Sequence, residues 1–171
     1  MKKIICTILC AILILSCSAC DLAKDIFTKS VSITDAEKVF EHEDFSITLT
    51  TGFLTMDFIS EDFSFIWGDG IVTVMGMEAG IGVDEITLSE YAEFFSQNLD
   101  GVNSVKTDTL DNTIPCVEYS VDNDGEMYSY LTCFYEAKDD IWIILFGAPE
   151  SDYTKNYESI CKYARSAKVS K

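Results

Sequence analysis

Nucleophilic catalysis near neutral pH needs a general base beside a serine or cysteine, and His42 is the only histidine this chain can offer. It lies between Glu41 and the pair Glu43-Asp44. An acidic neighbourhood at a turn or strand end fits a solvated loop histidine better than a catalytic one. Of seven cysteines, four (Cys6, Cys10, Cys17 and Cys20) fall in the first 20 residues. The other three, Cys116, Cys133 and Cys161, show no C-x-x-C spacing, so neither a thioredoxin-like pair nor a zinc knuckle is indicated. Cys161 sits on the apolar side of a helical pattern, where cysteine behaves as a small hydrophobe. The run Asp122-Asn123-Asp124-Gly125-Glu126 opens like a calcium loop. Aligned on Gly125, however, the pattern puts Ser120 at its first position and Leu131 at its twelfth, where carboxylates are needed. We read the run as a hairpin turn and expect no metal site. No glycine-rich phosphate loop or nucleophile elbow is present, so no cofactor and no catalytic residue are assigned.

The acids themselves are unevenly spread. From Val39 to Val105 there is no Lys or Arg, while 13 Asp and Glu residues occur. The simplest reading is a solvated face that maintains solubility. The sharper one is a surface for a partner with a basic surface, or a weak cation site. A hydrolase built on two facing carboxylates is the least supported use of so many acids.

The first 20 residues carry a different kind of chemistry. Met1-Lys2-Lys3 is a short positive segment, and the 12 residues Ile4–Leu15 are almost wholly apolar. Ser16, Ser18 and Ala19 follow. This is the layout of a secretory signal, and it is shorter than the ~20 apolar residues a spanning helix requires. Its end, Ser18-Ala19-Cys20, resembles the lipobox of bacterial lipoproteins. The resemblance implies a diacylglyceryl thioether on Cys20, cleavage just before it, and a place on the outer side of the cell membrane. Cys17, preceded by Leu15-Ser16, is the poorer alternative. One acyl chain binds membranes only marginally, whereas two hold firmly. The surface could not help: all 29 acids lie beyond Cys20. Loss of Lys2 and Lys3 leaves 10 basic residues against them, a net charge of −19. Anionic lipid and nucleic acid both repel such a chain, and nucleic-acid binding is excluded.

The elements that must position everything else come next. We expect a signal over 1–19, a tether over 20–36, and one domain over 37–171. Phe45-Ser46-Ile47-Thr48-Leu49 alternates as a half-buried strand does. Phe63–Trp67 and Ile71–Met75 flank Gly68-Asp69-Gly70 as a hairpin. The aromatics from Phe53 to Trp67 are expected mostly in the core, with a few exposed before Phe63. Thr87-Leu88-Ser89-Glu90 is a capping box, with Leu88, Tyr91, Ala92, Phe95 and Leu99 at helical spacing and Gly101 as a stop. Val105–Leu110, Ile114–Val121 and Glu126–Ala137 read as strands. Ile141–Phe146 is apolar on both faces and should be central in its sheet. Ser151 or Asp152 can cap a last helix bearing Tyr153, Tyr157, Ile160, Cys161 and Ala164. The sum is α+β, an antiparallel sheet of about seven strands flanked by helices.

One register is chemically consequential. A two-residue turn at Asp124-Gly125 sets Cys116 opposite Cys133. A three-residue loop, Asn123-Asp124-Gly125, sets Cys116 opposite Thr132 and turns Cys133 to the other face. The second choice gathers Val117, Val121, Met127 and Leu131 on one face, and we expect it, with free thiols.

The stretch Phe40-Glu41-His42-Glu43-Asp44-Phe45-Ser46-Ile47-Thr48-Leu49-Thr50-Thr51-Gly52-Phe53 resembles the opening of PsbP-like and DcrB-like domains, although Thr51 stands where proline is usual. The later order of helix, long hairpin, apolar strand and C-terminal helix is similar too. The resemblance implies an α/β/α sandwich over about Glu37–Val169. It carries packing rather than chemistry. We therefore expect a noncatalytic, membrane-anchored interaction or accessory module, with a small-ligand binder as the alternative.

Overall fold

A computed structural model describes residues 36–56, 63–81 and 85–170. Cys17, Cys20 and the signal lie outside these residues. The chain builds an antiparallel seven-stranded sheet and a separate three-stranded one. In the large sheet the order is β3 (Leu54–Thr55), β4 (Phe65–Gly68), β5 (Thr73–Glu78), β9 (Ile141–Pro149), β8 (Glu126–Glu136), β7 (Ile114–Asn123) and β6 (Val102–Leu110). The fully apolar β9 is the middle strand, as its sequence demands, and Ile141 to Phe146 are all at most 1% exposed. The small sheet places β2 (Phe45–Thr50) between β1 (Glu37–His42) and β10 (Lys168–Val169).

The large sheet has a core on each face. On one, α1 (Leu88–Gln97) buries Tyr91, Ala92 and Phe95 against Val117, Tyr119, Phe134 and Ile143. On the other, α2 (Glu150–Ser166) and the small sheet bury Tyr153, Ile160, Cys161, Phe45 and Ile47 against Cys116, Leu131, Cys133 and Trp142. This is the expected α/β/α sandwich, with the small sheet as an addition to one outer layer. α1 starts on the complete capping box: Thr87 Oγ1 accepts from the Glu90 N–H, and the Glu90 carboxylate accepts from the Thr87 N–H. α2 starts differently from expectation. Pro149 occupies the N-cap and no side chain caps the helix. The helix therefore begins two or three residues earlier, and Glu150 and Asp152 in its first turn complement the dipole instead.

Two close approaches fix the sheet's interior. Phe65 is paired with Gly76 and Tyr130 with Gly147. Each ring lies over its glycine: a Cβ on Gly76 would stand 2.1 Å from Phe65 Cζ, and one on Gly147 2.6 Å from Tyr130 Cε1.

The β7–β8 register corrects the sequence expectation. Asn123 pairs with Glu126, and the ladder runs without a shift to Cys116 opposite Cys133. The turn has two residues, with φ of 51° at Asp124 and 88° at Gly125. A type I′ turn needs positive φ at both central positions, and Asp-Gly supplies it. Asp122 Oδ1 adds a bond from the Gly125 N–H at 2.8 Å. The local turn chemistry outweighs the apolar sidedness that favoured the longer loop. In this structure both thiols are reduced.

Candidate functional site

Where α2 begins, the sheet face beneath it changes character. Further along, Cys116, Leu131 and Cys133 present an apolar surface. At the hairpin end the same face carries Glu118, Ser120 and Ser129 on β7 and β8, beside Ser104 and Lys106 on the edge strand β6. Ser104 and Lys106 stand directly opposite Ser120 and Glu118, and Ser129 stands opposite Ser120. With Glu150, Tyr153 and Thr154 of α2 these residues line a cleft of about 320 Å³. The Ser104 and Ser120 hydroxyls are 2.8 Å apart, one donating to the other. The Tyr153 hydroxyl donates to Glu118 Oε1 at 3.0 Å. Burial, and then the Glu118 charge, push the Tyr153 phenol far up, so it stays a donor. The bond to Asp108 raises the Lys106 ammonium further above its ordinary value. The cleft offers hydroxyls, carboxylates and one ammonium on strands held rigid by their ladder. Such a surface can hold a polar, hydroxyl- or amine-bearing group by hydrogen bonds.

A second cleft, about 290 Å³, lies between the end of β1 and β4, with Glu41, His42, Ser64, Phe65 and Trp67 among its walls. His42 is a correction to the sequence reading. It ends a strand and is half-buried, its ring 5.3 Å from that of Phe65 and 6.0 Å from that of Trp142. The imidazole packs against aromatic rings rather than standing free in a loop.

Of the other residues singled out in the sequence, Asp57, Phe58, Glu61, Asp62 and Asp84 lie outside the described residues. Cys116, Cys133 and Cys161 are buried in the α2 core, and burial raises all three thiols. Phe53, Phe65 and Trp67 are buried, while Leu54 is 60% exposed. The acidic span is not uniformly solvated. Asp69 is buried and accepts from the Ile71 and Val72 N–H groups at 2.9 and 2.7 Å. Asp44 accepts from Trp142 Nε1 at 2.7 Å, and Glu90 closes the capping box. Glu78 meets Asp140, Glu43 and Asp44 at one end of the sandwich, and burial followed by these charges raises its carboxyl. Among the described residues, no group of three or more His, Cys, Asp or Glu is placed to hold a metal ion. No helix among them is long and apolar enough to cross a membrane.

The polar cleft was missed in the sequence. Its only trace there is the alternation Glu118-Tyr119-Ser120 beside Ser129, polar residues on a face that is otherwise core.

No protein-family model matches the chain, and no curated protein matches it. Solved structures do. The cyanobacterial PsbP protein (CyanoP) of Synechocystis aligns with 83% of this chain and 96% of its own, at 10% identity and a TM-score of 0.53. A Bacteroides thetaiotaomicron protein aligns with 79% of this chain and 48% of its own, at 11% identity and a TM-score of 0.49. LpqN of Mycobacterium tuberculosis, described as involved in cell envelope biogenesis, aligns with 89% and 96%, at 11% identity and a TM-score of 0.48. The alignment with CyanoP covers nearly that whole domain, and with the two helix-covered faces and the antiparallel order above it identifies this chain's fold as PsbP-like.

Proposed function

We propose that this chain is a noncatalytic binding module, held on the outer side of a bacterial cell membrane by a lipidated Cys20, with the cleft at the start of α2 as its contact surface. One observation carries the reading. A buried sheet face that is apolar along most of α2 becomes a row of hydroxyls and charges where the helix starts, and Ser120 and Ser129 there are only 8% and 7% exposed. Polar groups are expensive to bury without partners, so a row of them under a helix end is a feature with a use. The reactive side chains support the noncatalytic part: His42 is packed on rings and the thiols are raised by burial. A second reading, capture of a small polar ligand, is favoured by the cleft's volume, which falls in the range of small-ligand sites.

A photoreactive phenylalanine analogue at Lys106 tests both in intact cells, with the same analogue at the exposed Glu93 on α1 as control. The proposal expects an adduct from position 106 that disappears when Ser120→Tyr fills the cleft. A protein-sized adduct supports the interaction module and a ligand-sized one the second reading. Equal adducts from both positions, or none from 106, would overturn the cleft as the contact surface.

A further inference from the structure

The observed register brings two thiols face to face, and the turn determines what kind of pair they form. In a two-residue hairpin the residues flanking the turn, here Asn123 and Glu126, make the narrow hydrogen-bonded pair. Hydrogen-bonded and non-hydrogen-bonded pairs then alternate along the ladder. Cys116 and Cys133 are seven steps further on, with no shift between, so theirs is a non-hydrogen-bonded pair. At such a pair the Cα atoms are about 4.5 Å apart and the side chains are close. That separation lies within the span a disulfide bridges. Both side chains point to the α2 face, in one core with Cys161.

We propose that Cys116 and Cys133 are a redox-modified pair that closes into a cross-strand disulfide, with a disulfide compound or the disulfide of a thiol oxidoreductase as oxidant. One cysteine thiolate attacks a sulfur of the oxidant, breaking its S–S bond and releasing one thiol. The second cysteine attacks the resulting mixed disulfide at the protein sulfur, forming Cys116–Cys133 and releasing the other thiol. The two cysteine protons end on the released thiols. The pair loses two electrons and the oxidant gains them.

The packing says when this happens. Cys116 is 4% exposed and Cys133 is not exposed at all. Burial raises both thiols, Cys133 strongly, so neither attacks readily in the finished fold. The exchange belongs to folding, after the β7–β8 hairpin forms and before α2 covers it. Once closed, the bond is shielded from reductants by the same helix. Cys161, on that helix, arrives last and stays reduced.

In the cell this needs an oxidising compartment, and so rests on the export reading. Refolding in vitro does not. The full-length chain is unfolded, reduced, and refolded in a glutathione redox buffer, then alkylated under denaturing conditions and digested. No Lys or Arg lies between Thr107 and Lys138, so both cysteines fall in one tryptic peptide, 107–138. We expect that peptide unalkylated and two hydrogens lighter, with Cys161 alkylated. Incubating the reduced native protein in the same buffer should oxidise it at least tenfold more slowly. Reduction of the closed form should lower its melting temperature by about 10 °C, from the usual effect of closing a loop of this length. The double variant Cys116→Ala/Cys133→Ala should show no response to reductant. Alkylation of both cysteines after refolding, or a bond to Cys161, would overturn the pair. Pairing on refolding but not in protein isolated from cells would uphold the pair and count against export.

Discussion

Gly76→Ala tests the packing between the large sheet and the small one. Gly76 lies on β5 opposite Phe65, and a Cβ there would stand 2.1, 2.3 and 2.8 Å from three atoms of that ring. Ordinary contact begins near 3.4 Å, so the ring would have to retreat by more than 1 Å. Neighbouring aromatic rings block most of its retreat. Its centroid is 4.0 Å from that of Trp67 in a stack, 5.5 Å from Phe45 and 5.9 Å from Trp142. Overpacking of this kind costs about 1–3 kcal/mol, and a blocked ring belongs at the upper end. Replacing glycine also restricts the unfolded chain, which returns about 0.4–1 kcal/mol. The net is about 2 kcal/mol, or roughly 4–8 °C in melting temperature for a domain of this size. Circular dichroism melts and urea titrations of the domain measure it. A double-mutant cycle with Phe65→Leu sharpens the test, because the smaller side chain leaves room for the new methyl. The two changes together should then destabilise less than their separate effects combined, by about 1 kcal/mol or more. A Gly76→Ala protein melting within about 1 °C of the parent, or a strictly additive cycle, would refute the packing argument.

Glu78→Gln probes the acidic end of the sandwich. A folded carboxyl raised above its unfolded value takes up more protons than the unfolded chain, so its contribution is present at low pH and lost as pH rises through the raised value. The parent should therefore melt lower than Glu78→Gln at pH 7, by a degree or two, and the difference should close below pH 4; parallel pH curves would contradict the cause given. Thr87→Ala removes the hydroxyl half of the capping box, leaving the Thr87 N–H to Glu90 bond in place, and should cost about 1 kcal/mol, whereas Thr87→Ser should cost little; equal losses would show that the hydroxyl is not the cap. Cys20→Ala should abolish incorporation of labelled fatty acid, and persistent labelling would move the acceptor to Cys17. Micromolar calcium should leave the melting temperature of the soluble domain unchanged, since Asp122 already accepts from the Gly125 N–H; a rise of several degrees would reopen the loop as a metal site.

Much of the framework is legible from local chemistry. Thr87 and Glu90 mark the start of α1 because a capping box is a four-residue event. Ile141–Phe146 marks the central strand because only a strand covered on both sides is apolar at every position. The β7–β8 register was misjudged for an instructive reason. Sorting side chains by polarity assumes that a buried face is apolar throughout, and Glu118, Ser120 and Ser129 break that assumption. These are the residues that line the cleft. The feature that misled the register is the feature that carries the proposed function, as expected where a site is built at a local cost to packing. The half-buried setting of His42 was not legible, since it depends on Phe65 and Trp142, distant in the chain. The three-stranded sheet escaped notice because β10 has only two residues.

That small sheet has a consequence for how the chain can be made. β2 is completed by β10, and Ser166 both accepts from the Thr48 N–H and donates to the Thr48 carbonyl across 118 residues of sequence. The cover over Phe45, Ile47 and Leu49 is therefore incomplete until the last helix is synthesised. Contacts this distant are formed slowly. A nascent domain lacking α2 and β10 keeps its first hydrophobic strand partly open, and it closes only after those elements are available. Early synthesis therefore cannot trap the domain in its compact form, and the step that seals the fold is supplied by α2 and β10, the last of its elements to be made.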